Sequence, residues 1–327
     1  MSERNNNIDI ARGLLIIIMV LGHTGFSGTK FIYLFHIPSF VFLSGYLHTS
    51  NYSYQFLKKR FVSLYFPFIK YSVIYLISIN FFVEFGILNK ELISINNIFQ
   101  NLLDILLMKG LGGFLGAFWY LTMILEVIFI YILFDRILKN IHYMSAFIAV
   151  IFLLTYVYIA NDYTLPAYLD ISFLMLSSFH FGRLYKRYEK VIPNNLYVFI
   201  ISSSILLLLY LSNVEINIGS RILPNIFLYL LSIISGIFLI MSFSKVIPFK
   251  SIQNGFSYTG KSTIIILALH FFSFKVVDLI VFHFFSFESN NELSSFPTMH
   301  NNSIIFSFVY LFFGLTIPLL INKIKKI

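Results

Sequence analysis

Apolar residues in this chain gather into long runs separated by short polar links, with no sustained alternation of the kind a half-buried strand needs. A helix needs about 17 to 25 apolar residues to cross a bilayer core roughly 30 Å thick. On that scale the pattern predicts ten spans, at 8–26, 31–49, 61–86, 112–135, 143–160, 165–185, 196–212, 223–244, 262–284 and 303–322. The expectation is an all-α, polytopic integral membrane protein. The longest links on the outer side, 87–111 and 285–302, are too short for a domain of their own. Residues 1–327 therefore read as a single transmembrane domain with no appended soluble domain. Within the first link, ELISINNIFQNLLDILLMKG has helically spaced apolar residues and a polar face, which suits a short helix lying along the outer interface. No repeat of 20 to 50 residues and no similarity between halves is found, which weighs against an inverted-repeat transporter.

Composition agrees with this reading: 58% of residues are hydrophobic and 11% charged, and the mean hydropathy is +0.84, beyond what a soluble domain needs. A net charge of +9 in a soluble protein would suggest nucleic acid, so its placement decides. With the N-terminus inside and Arg12, Lys70 and Lys275 left within spans, sixteen Lys/Arg fall on the inner side, including Arg4, Lys325 and Lys326. Four, Lys30, Lys90, Lys109 and Arg221, fall outside. That asymmetry follows the positive-inside rule, puts both termini in the cytoplasm and leaves no nucleic-acid partner to invoke. The absence of cysteine excludes disulfides, thiolate nucleophiles and thiolate metal sites. No small-residue cleavage site follows the first apolar run, so no cleavable signal peptide is expected.

Polar groups inside spans carry the candidate chemistry, because they cost free energy in lipid unless they face a cavity, a partner or a substrate path. The first span, IDIARGLLIIIMVLGHTGF, holds Arg12 and His23. Eleven helical steps leave these side chains within about 20° of one face and roughly 16 Å apart along the axis. A histidine can take a proton from a hydroxyl near neutral pH; equally, a histidine packs between helices and an arginine pairs with an aspartate, here Asp9, three residues earlier. In FHIPSFVFLSGYL, residues 35–47, a hairpin through Gly28 would return His36 to the depth of His23. Ser44-Gly45 would let a neighbouring helix approach closely. These histidines lack the i, i+3 or i, i+4 spacing of a metal site, so no metal is expected. Glu126 can orient a histidine, bind sugar hydroxyls or pair with Lys70, while Lys275 and Asp278, three apart, can neutralise each other. Asp170, near the outer end of the sixth span, and His270 are further polar groups within spans, and Trp119 is an interface anchor or a stacking platform.

Arginine, ten residues, then histidine in the first span, followed by FHIPSFVFLSGYL, resembles the membrane-bound acyltransferase-3 family, in the branch similar to fucose 4-O-acetylases. KKRFVSLYFPF at 58–68, FWYLTMILE at 118–126, FLMLSSFHFGRLY at 173–185 and GKSTIIILALH at 260–270 extend the likeness over most of the chain. Tyr120 where phenylalanine is common and His180 where an apolar residue is usual depart from it. The resemblance implies an O-acetyltransferase of the bacterial plasma membrane. Its acceptor would be a hydroxyl of a cell-surface polysaccharide or lipid-linked precursor, with Asp170 and His270 as candidates to line its pocket and Trp119 to stack on a sugar, and acetyl-CoA would be the co-substrate, with no metal. It makes His23 the catalytic base and Arg12 the contact to the acyl-CoA. Coenzyme A carries several phosphate charges and should meet cations on the cytosolic side. Lys58, Lys59 and Arg60 lie there, and Arg183, Lys186 and Arg187 can complete the ring. The other class that wants such helices, a transporter or flippase of a lipid-linked sugar, has no particular need of the aligned arginine and histidine.

Overall fold

The computed structural model describes residues 5–50, 52–285, 293–300 and 303–324; Arg4, Lys325 and Lys326 of the expected inner cations lie outside the described residues. Its helices are, in order, α1 (Asn6–Gly22), α2 (Thr29–Tyr33), α3 (His36–Tyr46), α4 (Tyr54–Glu84), α5 (Ile95–Leu106), α6 (Trp119–Leu138) and α7 (Ile141–Ala160). There follow α8 (Leu169–Tyr188), α9 (Leu196–Leu211), α10 (Ile226–Val246), α11 (Lys250–Lys261), α12 (Thr263–Phe285) and α13 (Ile304–Ile324). A 3-10 turn, Gly113–Phe118, leads into α6, and another, Pro166–Tyr168, into α8. Among the described residues the β-structure is one isolated bridge, Asn217 to Ile222. Asparagine marks several helix starts: the Asn5, Asn140, Asn195 and Asn225 side chains accept from the amides of Asn7, His142, Val198 and Phe227 at 3.0, 2.8, 3.1 and 2.8 Å.

Six helices among the described residues are long and apolar enough to cross a membrane: α4, Gly113–Leu138, α7, α10, α12 and α13. This is a multi-span membrane protein. The ranges 8–26 and 196–212 hold the shorter helices α1 and α9, of 17 and 16 residues. Range 165–185 holds α8, which carries Asp170, Arg183, Lys186 and Arg187 within 20 residues. Helix α4 starts at Tyr54, seven residues before the expected 61, and its 31 residues rise about 46 Å, so its first turns with Lys58 and Lys59 exceed a bilayer core.

The range 31–49, read as one helix, is instead α2 and α3 with a break at Leu34–Phe35. Pro38 is the cause. Its ring cannot pass the carbonyl four residues back, that of Leu34, and it has no N–H to give it. A helix can start with proline in its first turn, so it restarts at His36. The released Leu34 carbonyl accepts the Ser232 hydroxyl of α10 at 2.9 Å. Gly236, one turn further along α10, makes room for Phe35: a methyl group there would lie 2.1 Å from its Cβ.

The chain forms two compact units. One comprises the described residues of Met1–Ile18, Lys30–Phe56 and Met123–Lys261. In it α3 packs on α8 and α10, α7 on α8, and α9 on α10. Lipid removes most of the hydrophobic force between helices, so small residues that let backbones meet decide such contacts. A Cβ on Gly45 of α3 would stand 1.8 Å from the Phe179 carbonyl oxygen, and one on Gly182 of α8 would stand 2.1 Å from that of Phe42. The Ser44-Gly45 pair thus admits a neighbouring backbone, as expected. Gly13 and Gly260 do the same between α1 and α11, where an added methyl group would lie 1.9 Å from Phe256 O and 2.0 Å from Asp9 O, respectively. Gly45→Ala should therefore lower stability by about 1–3 kcal/mol. Gly255→Ala, in α11 with nothing within 4 Å, should be neutral or stabilising. Unfolding midpoints in detergent compare the two, and equal midpoints would contradict the tight α3–α8 contact.

The second unit comprises the described residues of Met19–Thr29, Leu57–Thr122 and Ser262–Ile327. Helix α12 is its centre, packed on α13 and on the turn Gly113–Phe118. Phe82, Phe114 and Phe272 form an aromatic cluster, with ring centroids 4.9 to 6.2 Å apart, that fastens this turn to α12. Helix α5 forms in the segment expected to be an outer amphipathic helix. Ile95, Ile98, Phe99, Leu102, Leu103 and Leu106 expose their apolar side chains along it.

Candidate active site

Helix α1 runs unbroken to Gly22, and a tight turn then holds His23. The His23 amide donates to Val20 O at 3.1 Å, and the Thr24 amide and hydroxyl both donate to Leu21 O at 3.1 and 2.8 Å. Gly25 closes this turn with φ +76°, a left-handed conformation that costs glycine little. Thr29 closes the link by donating its hydroxyl to Phe26 O at 2.6 Å. Helix α1 carries Arg12 and ends at Gly22, so His23, expected within the same helix, lies instead in the turn that follows it.

The residue placed beside His23 is His270 of α12. Their ring centroids are 5.4 Å apart with planes at 34°, and Phe271 presents an edge to His23 at 5.0 Å. His270 is 0% exposed. Its Nδ1 lies 3.0 and 3.1 Å from the carbonyl oxygens of Ile266 and Leu267. Only a protonated nitrogen is favourable against two carbonyls, so Nδ1 carries the hydrogen and Nε2 is left as an acceptor. That Nε2 is buried and has no hydrogen-bond partner among the described residues.

One turn along α12, Lys275 and Asp278 form the expected pair at 2.9 Å, both buried. They also hold the chain beyond the helix. Lys275 Nζ donates to Leu293 O at 2.9 Å and to Ser295 O, while Asp278 accepts from the Tyr310 hydroxyl and from the Met299 amide at 3.3 Å. The fastened segment carries Phe296, whose ring centroid lies 5.0 Å from that of Phe271. Phe271 in turn touches His23, so the buried pair supports one wall of the histidine site.

The other expected residues take separate places. In the first unit, Arg12 is half-buried, and Asp9 has its carboxylate 3.9 Å from Lys261 Nζ. His36 is buried, with Nδ1 3.0 Å from Ile32 O and its ring stacked on Tyr33 at 5.1 Å. Ser44 donates to Phe40 O at 3.2 Å. Glu126 accepts the Ser172 hydroxyl at 2.6 Å. Asp170 is held by Nε and Nη2 of Arg221, at 2.6 and 3.1 Å, which ties the link between α9 and α10 to α8. In the second unit, Lys58 and Lys59 are exposed and Arg60 half-buried in the first turns of α4, and the Lys70 ammonium lies over the Tyr71 ring at 5.9 Å. Trp119 opens α6, half-buried.

Sequence reasoning did not assign a polar network around His180. Its Nδ1 lies 2.8 Å from the Tyr131 hydroxyl and its Nε2 2.8 Å from the Ser145 hydroxyl. Arg183, one turn along α8, pairs with Asp135, which also accepts the Tyr52 hydroxyl, and donates to Ser50 Oγ at 2.8 Å. The available signal was the spacing of His180, Arg183 and Arg187, which sets all three on one face of α8. Among the described residues no group of three His, Asp or Glu side chains is placed to hold a metal.

These features describe a helical membrane protein with a fixed histidine pair, and cations and carboxylates distributed over its helix ends. A family model described as an acyltransferase domain matches residues 5–323, and the chain belongs to this acyltransferase-3 family. Its activity is membrane acyl transfer. No curated protein and no solved structure matches the chain.

Proposed function

We propose that the protein transfers an acetyl group from acetyl-CoA to a hydroxyl of a bacterial cell-surface polysaccharide or its lipid-linked precursor, as the fucose 4-O-acetylase-like branch of the family does. The observation that carries this reading is His23, held by its turn beside the tautomer-fixed His270. His23 takes the proton of the acceptor hydroxyl as its oxygen attacks the thioester carbonyl carbon. The tetrahedral intermediate collapses, the carbon–sulfur bond breaks, and the proton passes from His23 to the leaving sulfur, giving coenzyme A and the acetyl ester. Arg12 contacts the acyl-CoA, and Lys58, Lys59 and Arg60 are separate candidate contacts to the donor's phosphates through charge-assisted hydrogen bonds. The chain crosses the plasma membrane ten times with both termini cytoplasmic, an orientation supported by the distribution of lysine and arginine. His36, Ser44, Trp119, Glu126, Asp170 and His270 are individual candidates for contact with, or support of, the acceptor.

The test compares O-acetyl signals in the cell-surface glycan by NMR with and without the protein, alongside acetyl-CoA binding to purified protein. Loss of the signals without the protein is expected. Arg12→Ala should weaken acetyl-CoA binding roughly 10- to 100-fold, the worth of one charge-assisted hydrogen bond. Unchanged O-acetylation, together with movement of a lipid-linked sugar that needs no coenzyme A, would identify a flippase instead.

A further inference from the structure

The first unit contains a cavity of about 370 Å3 that the histidine chemistry does not use. Small-molecule sites commonly span about 300–1,000 Å3. It opens where α3, α6, α7 and α8 end or begin, and its charged lining is Lys139, Arg183, Lys186 and Arg187 against the single carboxylate of Asp135, four positive charges to one negative. Arg183 uses that carboxylate. Lys139, Lys186 and Arg187 have no carboxylate within ion-pair distance among the described residues; the Lys186 ammonium rests over the Tyr46 ring at 5.8 Å and the Arg187 guanidinium over the Tyr188 ring at 5.7 Å. The cavity thus keeps an excess of about three cationic groups, two of them set over aromatic faces and none neutralised by acids.

Lys139 adds an independent observation. It adopts φ +48° in the two-residue turn between α6 and α7, where glycine or asparagine would sit without strain. A lysine kept in that conformation on the wall of a cationic cavity points to a use for its charge.

We propose that this cavity binds the phosphate-bearing end of a ligand, with Lys139, Lys186 and Arg187 as its contacts and Arg183, braced by Asp135, as its floor. Phosphate esters offer the multiple acceptor oxygens and negative charge that such a set satisfies. Two sources share this chemistry, the 3′-phosphate and diphosphate of coenzyme A and the head group of an anionic lipid. Assignment to coenzyme A rests on the acetyl-CoA reading above, whereas the phosphate site itself does not.

The experiment uses purified full-length protein and the variants Lys139→Gly and Arg187→Gln, measured by calorimetry with coenzyme A and with dephospho-coenzyme A. Thermal shifts in nanodiscs of phosphatidylglycerol or phosphatidylcholine form the second arm. Lys139→Gly relieves the backbone strain while removing the charge, so it should fold at least as well as the parent. If coenzyme A is the ligand, each variant binds it about tenfold more weakly, and the preference for coenzyme A over dephospho-coenzyme A shrinks. If a lipid is the ligand, coenzyme A binding is unchanged and the stabilisation by phosphatidylglycerol over phosphatidylcholine is lost in both variants. Parental behaviour of both variants in both arms overturns the proposal. A parent that binds no coenzyme A at all would refute the acetyl-CoA reading alone, because the lipid arm still decides whether the cavity holds phosphate.

Discussion

Replacing His23 with alanine is expected to reduce acyl transfer on the order of 10²- to 10⁴-fold, the contribution of a positioned general base. The side chain sits in a turn whose hydrogen bonds are made by backbone groups and by Thr24 and Thr29, so the variant should keep its helical content and its place in the membrane. Donor binding should survive, since the phosphates are assigned to cations elsewhere. Loss of turnover with retained acetyl-CoA binding is therefore the signature to measure. Near-parental turnover in His23→Ala would remove the base from the mechanism. His270→Phe extends the test. It keeps an aromatic ring against Phe271 but deletes the Nε2 acceptor, so it should lower kcat with little change in donor KM. An unchanged kcat would reduce His270 to a packing residue.

Lys275→Met is expected to destabilise the protein by about 3–5 kcal/mol, because it leaves the Asp278 carboxylate as a buried charge without its counter-ion. Lys275 is 1% exposed. Its ammonium also satisfies the carbonyls of Leu293 and Ser295, which would be left without that donor. The double variant Lys275→Met with Asp278→Leu removes both charges and should recover part of the loss, although the Tyr310 hydroxyl and Met299 amide then lack their acceptor. Unfolding midpoints in detergent measure both effects. A single variant as stable as the parent would show that the pair bears no structural burden. Activity of the double variant reads out the wall of the site: freeing the segment around Phe296 should lower turnover even where stability is recovered, since Phe296 packs on the Phe271 that contacts His23.

Local chemistry made much of this legible before any fold was known. Membrane-length apolar runs define helices because lipid offers backbone groups no other partner, so composition and period together give an all-helical chain. The Lys275–Asp278 pair spans a single turn of α12 and follows from spacing, whereas of the Arg12–His23 pair only Arg12 lies in α1, His23 falling in the turn after Gly22. Pro38 was visible as a residue suited to a helix start. What spacing did not show is that the start lies at His36, because a broken helix is tolerable only if the freed Leu34 carbonyl finds a donor, and Ser232 comes from a distant segment.

The same distinction runs through the site. The sequence determined which groups are available and which share a span: an arginine and a histidine in the first span, a histidine near the end of GKSTIIILALH, cations after α6 and along α8. Tertiary structure alone decided that His23 meets His270, that Glu126 meets Ser172 and Asp170 meets Arg221, and that Lys139 joins Arg183, Lys186 and Arg187 around one cavity. The physical reason is that helical geometry fixes neighbours only three or four residues apart. Contacts between helices depend on where glycines such as Gly45, Gly182 and Gly260 let backbones touch, and that becomes visible only when both partners are in place.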